Sequence, residues 1–133
     1  LLFMRSGGYW QNLSWVDYVR LNSNFVPFRT ISQYVHLLFT GSINANIPLT
    51  NLWGNLLMMA PMGLYLPYFF KRARRPAVFF LVMLCLVLSA ELAQTCLRVG
   101  SLDIDDVILN LAGAFLGYGL GRLRWVRRFV YVE

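Results

Sequence analysis

The chain has 133 residues, of which 58% are hydrophobic and 14% charged, a balance too apolar and too poor in charge for an ordinary soluble domain. Twelve Lys and Arg against six Asp and Glu give a formal net charge of +6, but the basic residues sit between long apolar runs instead of over a polar surface, which argues against a nucleic-acid binder. The expectation is one all-α domain, a polytopic membrane helical bundle covering residues 1–133.

In chain order, Leu1-Leu2-Phe3-Met4-Arg5 lacks the ordered parts of a secretory leader and reads as the tail of an apolar segment. An upstream membrane helix ending near Met4 is therefore expected. Residues 5–48 hold no spanning run. They mix Trp10, Trp15, Phe25 and Phe28 with the turn formers Gly7, Gly8, Asn22, Asn24 and Pro27. Within them the amphipathic stretch 31–39 predicts a helix lying flat on the outer surface, a cap on the bundle.

Three runs reach or approach the ~20 apolar residues a bilayer requires. The first, 49–70, ends at Lys71-Arg72-Ala73-Arg74-Arg75. Pro61 removes a backbone hydrogen bond and Gly54 and Gly63 thin this segment, so a bend is predicted around 58–61. The second, 76–97, enters through Pro76, a residue suited to a first helical turn. The third, about 106–123, is shorter and borrows length from its flanks. It is stopped by Arg122, Arg124, Arg127 and Arg128.

Clustered basic residues are retained on the cytoplasmic side. That rule puts 71–75 and the C-terminus inside and 5–48 and 98–106 outside. Trp53, Tyr65, Tyr68 and Trp125 fall near span ends, as interfacial aromatics do. Cys85 and Cys96 are eleven residues apart in one apolar run; as a helix this separates them by roughly 16 Å, too far for a disulfide. His36 is the sole histidine, and no metal site or cofactor is expected.

Polar residues inside spans cost about 2.5–3.5 kcal/mol each for charged types on insertion scales, so those retained require a reason. Glu91, Gln94 and Thr95 share one helical face, with Arg98 following at the outer rim. Asn51 and Asn55 pair on the first span, and Asp106 and Asn110 on the third. Antiparallel neighbours bring Asn55, Glu91, Gln94, Asp106 and Asn110 to one depth, in the outer half of the membrane. Gly113, Gly117 and Gly121 form a small-residue stripe for close helix packing, on the face shared with Asp106 and Asn110.

Asn51, Gly54, Asn55, Pro61 and Gly63, then Ser89, Glu91 and Gln94, then Asp103, Asp105, Asp106, Asn110 and Gly113, occur in an order and spacing that resembles the VanZ-like family of small bacterial membrane proteins. The lead-in from Asn24 to Ile31 is similar as well. The resemblance implies a multi-pass protein of the bacterial cell membrane and a link to envelope chemistry. The family's founding member raises resistance to teicoplanin, a lipid-tailed antibiotic. It does not imply a defined reaction.

Three functions compete. In the first, an outward polar pocket binds the head of an envelope lipid or amphiphile. Glu91 is its buried acceptor, Asn55, Gln94 and Asn110 are orienting amides, Asn51 and Arg98 also belong to the pocket, and Asp103, Asp105 and Asp106 form an acidic mouth close to water. In the second, an intramembrane enzyme uses Glu91 as general base and the Asp group to hold a divalent cation. In the third, the protein is a helix-packing partner or structural subunit of a membrane complex through the stripe Gly113, Gly117 and Gly121, with Gly54 and Gly63 as further helix-packing positions.

Overall fold

The computed structural model describes residues 13–41, 44–123 and 126. Its elements run α1 (Trp15–Asn22), β1 (Ser23–Asn24), α2 (Arg29–Thr40), α3 (Asn46–Met58), α4 (Ala60–Phe69), a 3-10 turn (Lys71–Arg74), α5 (Pro76–Cys96), β2 (Leu102–Asp103) and α6 (Ile104–Leu120). The expected helix ending near Met4, Trp125, and Arg124, Arg127 and Arg128 lie outside the described residues.

Helix α5 is the longest element, at 21 residues. Pro76 occupies its first turn, where a missing N–H has no helical partner to lose. Its buried side chains are Phe79, Met83, Val87, Glu91 and Thr95, a strict four-residue stripe that turns one narrow face inward. The remaining faces carry Leu81, Leu86, Leu88 and Leu92, all exposed. Among the described residues α5 alone is a single helix long and apolar enough to cross a membrane.

The other two expected spans are not single long helices. Residues 49–70 are divided between α3 and α4, which meet at Met59. The break has a local cause: Pro61 has no N–H to offer the Leu57 carbonyl, and the bend expected at 58–61 falls there. Helix α6 begins at Ile104, earlier than expected, because Asp103 caps it by accepting from the Asp105 N–H at 2.9 Å. It stops at Leu120 and has 17 residues.

Helix α6 is the centre of the bundle and packs against α3, α4 and α5. Its small residues let the neighbouring backbones approach. A Cβ placed on Gly113 would lie 1.6 Å from the Leu56 carbonyl oxygen, one on Gly117 1.9 Å from that of Ala60, and one on Gly63 2.1 Å from that of Ala114. A Cβ on Gly121 would lie 3.3 Å from a Leu64 methyl, closer than ordinary contact but against a side chain that can give way. Gly54 corrects the packing expectation: nothing lies within 4 Å of the Cβ it lacks, because it points away from α6.

Towards the 3-10 turn, Leu66, Ala73, Phe79, Met83, Ala114 and Tyr118 form the apolar core. The rings of Phe79 and Tyr118 stack at 4.4 Å. Tyr118 donates its hydroxyl to the Arg74 carbonyl at 2.6 Å, and Arg74 Nε donates to the Pro67 carbonyl at 3.2 Å. The basic turn is thereby fastened to α4 and α6 with Ala73 buried inside it.

The surface inverts the distribution of a soluble fold. Trp53, Leu57, Phe69, Leu81, Leu92 and Leu116 are each more than half exposed, whereas Asn55, Glu91, Thr95, Asp103, Asp105, Asp106 and Asn110 are buried. Apolar area continued across several helices is unusual for a surface that faces water.

Candidate ligand cleft

The polar end of the bundle is organised by the start of α6. Strands β1 and β2 pair in parallel, with Ser23 opposite Leu102 and Asn24 opposite Asp103. This brings the 23–31 segment over the N-terminus of α6. Asp103 Oδ1 accepts from Asn24 Nδ2 at 3.0 Å in addition to the capping N–H, and Oδ2 accepts from the Thr30 hydroxyl at 2.6 Å. Asp105, with no exposed surface, accepts from the backbone N–H groups of Phe28 at 2.5 Å and Ile31 at 3.0 Å. These are N–H groups of the first turn of α2, which has no side-chain cap of its own. Asp105 thus caps α2 from another helix.

Those bonds correct the expected acidic mouth. Asp105 is fully buried and Asp103 nearly so, and their oxygens are engaged in capping α6 and fastening the 23–31 segment. A binding role for their free oxygens, or a divalent cation held by the Asp group, conflicts with these contacts. No group of three or more His, Cys, Asp or Glu suited to a metal occurs among the described residues.

Asp106 is arranged differently. Asn55 Nδ2 donates to Asp106 Oδ1 and also to Asn51 Oδ1, the latter at 3.3 Å. Asn51 Nδ2 reaches the Tyr34 hydroxyl at 3.4 Å, so one chain of polar contacts runs from α6 through α3 to α2. Asn110 Nδ2 turns back to the Asp106 carbonyl at 2.9 Å. Glu91 is buried on α5, with Asp106 and Asp103 as charged neighbours and the Asp103 backbone N–H against its carboxylate. Glu91 Oε2 and Asn110 Oδ1 are buried with no hydrogen-bond partner among the described residues. An orphaned buried carboxylate oxygen is expensive and calls for an explanation.

Above this layer a cleft of about 680 Å³ opens. Of the residues expected from sequence, Asn51, Gln94, Arg98, Asp103 and Asp106 line it, while Asn55, Glu91, Asn110 and Asp105 do not. The first three of these lie behind the wall, where they hold Asp106 or adjoin it. Sequence reasoning missed Tyr18, Arg29, Thr30, Gln33 and Tyr34 as walls. A signal existed for part of this set, since Gln33 and Tyr34 are polar positions of the amphipathic stretch 31–39.

Arg98 reaches the cleft through an unusual backbone. It has φ of 55°, and the N–H groups of Val99 and Arg98 return to the carbonyls of Gln94 and Thr95 at 3.0 and 3.1 Å. This closes α5 in a Schellman turn, where glycine is the usual residue. Its guanidinium donates to the Leu13 carbonyl at 3.1 Å and lies 5.7 Å from the centre of the Tyr18 ring. Tyr18 in turn donates to the Gly100 carbonyl at 2.5 Å.

Fold and site together define a small helical protein with an apolar exterior, a carboxylate-rich polar interior and one wide polar cleft. The chain belongs to the VanZ/LLP1 family, whose model matches residues 1–125. No curated protein and no solved structure matches it.

Proposed function

We propose that this VanZ/LLP1 protein is a multi-pass protein of the bacterial cell membrane whose outward-facing cleft binds the head of an envelope lipid or amphiphile. The observation that carries the reading is the cleft itself, a polar space of about 680 Å³ set in a bundle whose outer faces are apolar. A headgroup enters the polar space while its chains remain against the exposed leucines. Helices α3 and α4 together extend about 36 Å at ~1.5 Å per residue, enough for a bent crossing of a core ~30 Å thick. Helix α6 is shorter, about 26 Å by the same rise, and crosses with help from its flanks or local thinning of the bilayer. Membrane lipids are its surroundings and its ligand class. Resistance to lipid-tailed glycopeptides follows in this scheme if the bound amphiphile is the antibiotic or a lipid that the antibiotic needs.

Native mass spectrometry of the detergent-extracted protein tests the reading directly: a lipid-sized adduct that survives purification is expected, and its absence at every detergent strength defeats it. In the same assay Glu91→Gln should insert and unfold like the wild type yet lose most of the adduct. Gln matches the shape of Glu and still accepts the Asp103 N–H, but it removes a charge beside Asp106. Full retention of the adduct would make Glu91 a packing residue only.

Orientation is tested at the basic turn. Arg72 is exposed whereas Ala73 is buried, so a cysteine probe belongs at position 72. Arg72→Cys should resist a membrane-impermeant maleimide in intact cells and react after permeabilisation, because clustered Arg and Lys stay in the cytoplasm. Labelling in intact cells would reverse the topology and close the cleft to the outside.

A further inference from the structure

The charges around the cleft are divided. Arg29 and Arg98 line it together with Asp103 and Asp106, two cations and two anions around one space. They differ in exposure: Arg29 is exposed and Arg98 half-buried, whereas Asp106 is buried yet still lines the cleft. Asp103 spends its oxygens on donors of this chain. Asp106 accepts from Asn55 Nδ2 on Oδ1. Behind it, Glu91 holds a buried oxygen with no donor among the described residues, and the charges acting on Glu91 are again carboxylates. A buried carboxylate pair of this kind gains most from a cation or a multiple N–H donor arriving from the cleft. A purely anionic head would meet Asp106 at the floor; a purely cationic one would meet both arginines on the way in.

Resting on the lipid-binding reading above, we infer that the ligand is dipolar, an amphiphile whose head carries a primary ammonium and a phosphate. The ammonium sits at Asp106 in front of Glu91, and the phosphate sits outward, between Arg29 and Arg98. An ammonium supplies three N–H donors and a positive charge, which answers Asp106 directly and offsets the charge of Glu91 behind the cleft wall. Arginine forks suit the phosphate.

The test uses purified full-length protein and four probes: short-chain phosphatidylethanolamine, its N-acetylated form, short-chain phosphatidylglycerol, and free phosphoethanolamine. The wild-type series decides the matter without any variant. Phosphatidylethanolamine should bind about thirtyfold more tightly than the N-acetylated lipid or phosphatidylglycerol, the loss that follows when one partner of a desolvated charge pair is removed. Asp106→Asn should bring phosphatidylethanolamine down to the N-acetylated level, and Arg29→Gln, on an exposed residue, should weaken both lipids by a similar factor. Equal binding of the three lipids overturns the ammonium assignment and leaves the cleft as a lipid site. Free phosphoethanolamine binding as tightly as the lipid keeps the dipolar chemistry but defeats the lipid reading. Failure of all four probes overturns both, unless a different lipid co-purifies, in which case the dipolar inference alone falls.

Discussion

Gly113→Val should prevent the bundle from assembling, whereas Gly54→Ala should fold normally. A Cβ at position 113 would fall 1.6 Å from the carbonyl oxygen of Leu56, an atom of main chain that no rotamer change can move. Helix α6 would have to retreat from α3 by roughly 2 Å to restore contact distance, opening the packing around it, at a cost at or above the ~1–3 kcal/mol usual for overpacking. The same retreat would pull Asp106 away from Asn55. Thermal unfolding and size-exclusion profiles of the extracted proteins check this: Gly113→Val should be aggregated or poorly accumulated, and Gly54→Ala should match the wild type. A monodisperse Gly113→Val with unchanged melting temperature would mean that α6 and α3 are not in backbone contact.

Asp105→Asn should release the segment in front of α2 while leaving α5 and α6 intact. The carboxylate serves the N–H groups of Phe28 and Ile31 with separate oxygens. An amide has one oxygen and puts an NH2 where the other stood, so one buried N–H loses its partner and faces a donor. Such a loss costs about 1–3 kcal/mol. Phe28 has φ of 64°, a conformation a phenylalanine holds only under constraint. Hydrogen exchange over residues 23–31 should therefore accelerate, and cleavage there by added protease should increase. Unchanged exchange at Phe28 and Ile31 would remove the capping role.

Much of this was legible in the sequence, and the exceptions have physical reasons. The helix at 31–39, the break near Pro61 and the nearness of Glu91, Asn55 and Asp106 follow from periodicity and depth, which are local or one-dimensional quantities. The close approach at Gly113 and Gly117 follows from the absence of side chains. The parallel pairing of Ser23 and Asn24 with Leu102 and Asp103 was invisible, because two residues per strand carry no alternation pattern. Helix α1, eight residues long, was hidden by its Asn and aromatic content. Asp105 was misjudged because its partners are main-chain N–H groups far away in sequence, which leave no trace in residue type, and Asp103 because Asn24 and Thr30 reach it only once β1 and β2 pair. Three nearby aspartates resemble a solvated or metal-binding cluster until those donors are located.

The turn at Arg98 ties the stability of the chain to its chemistry. A non-glycine residue in the left-handed region carries a penalty on the order of 1–2 kcal/mol, and the substitution that would relieve it, Arg98→Gly, removes the guanidinium from the cleft wall and its bond to Leu13. Selection for thermal robustness and selection for ligand capture therefore pull this position in opposite directions. Any engineering effort that ranks variants by melting temperature alone will tend to enrich glycine at 98 and discard a binding group in the same step.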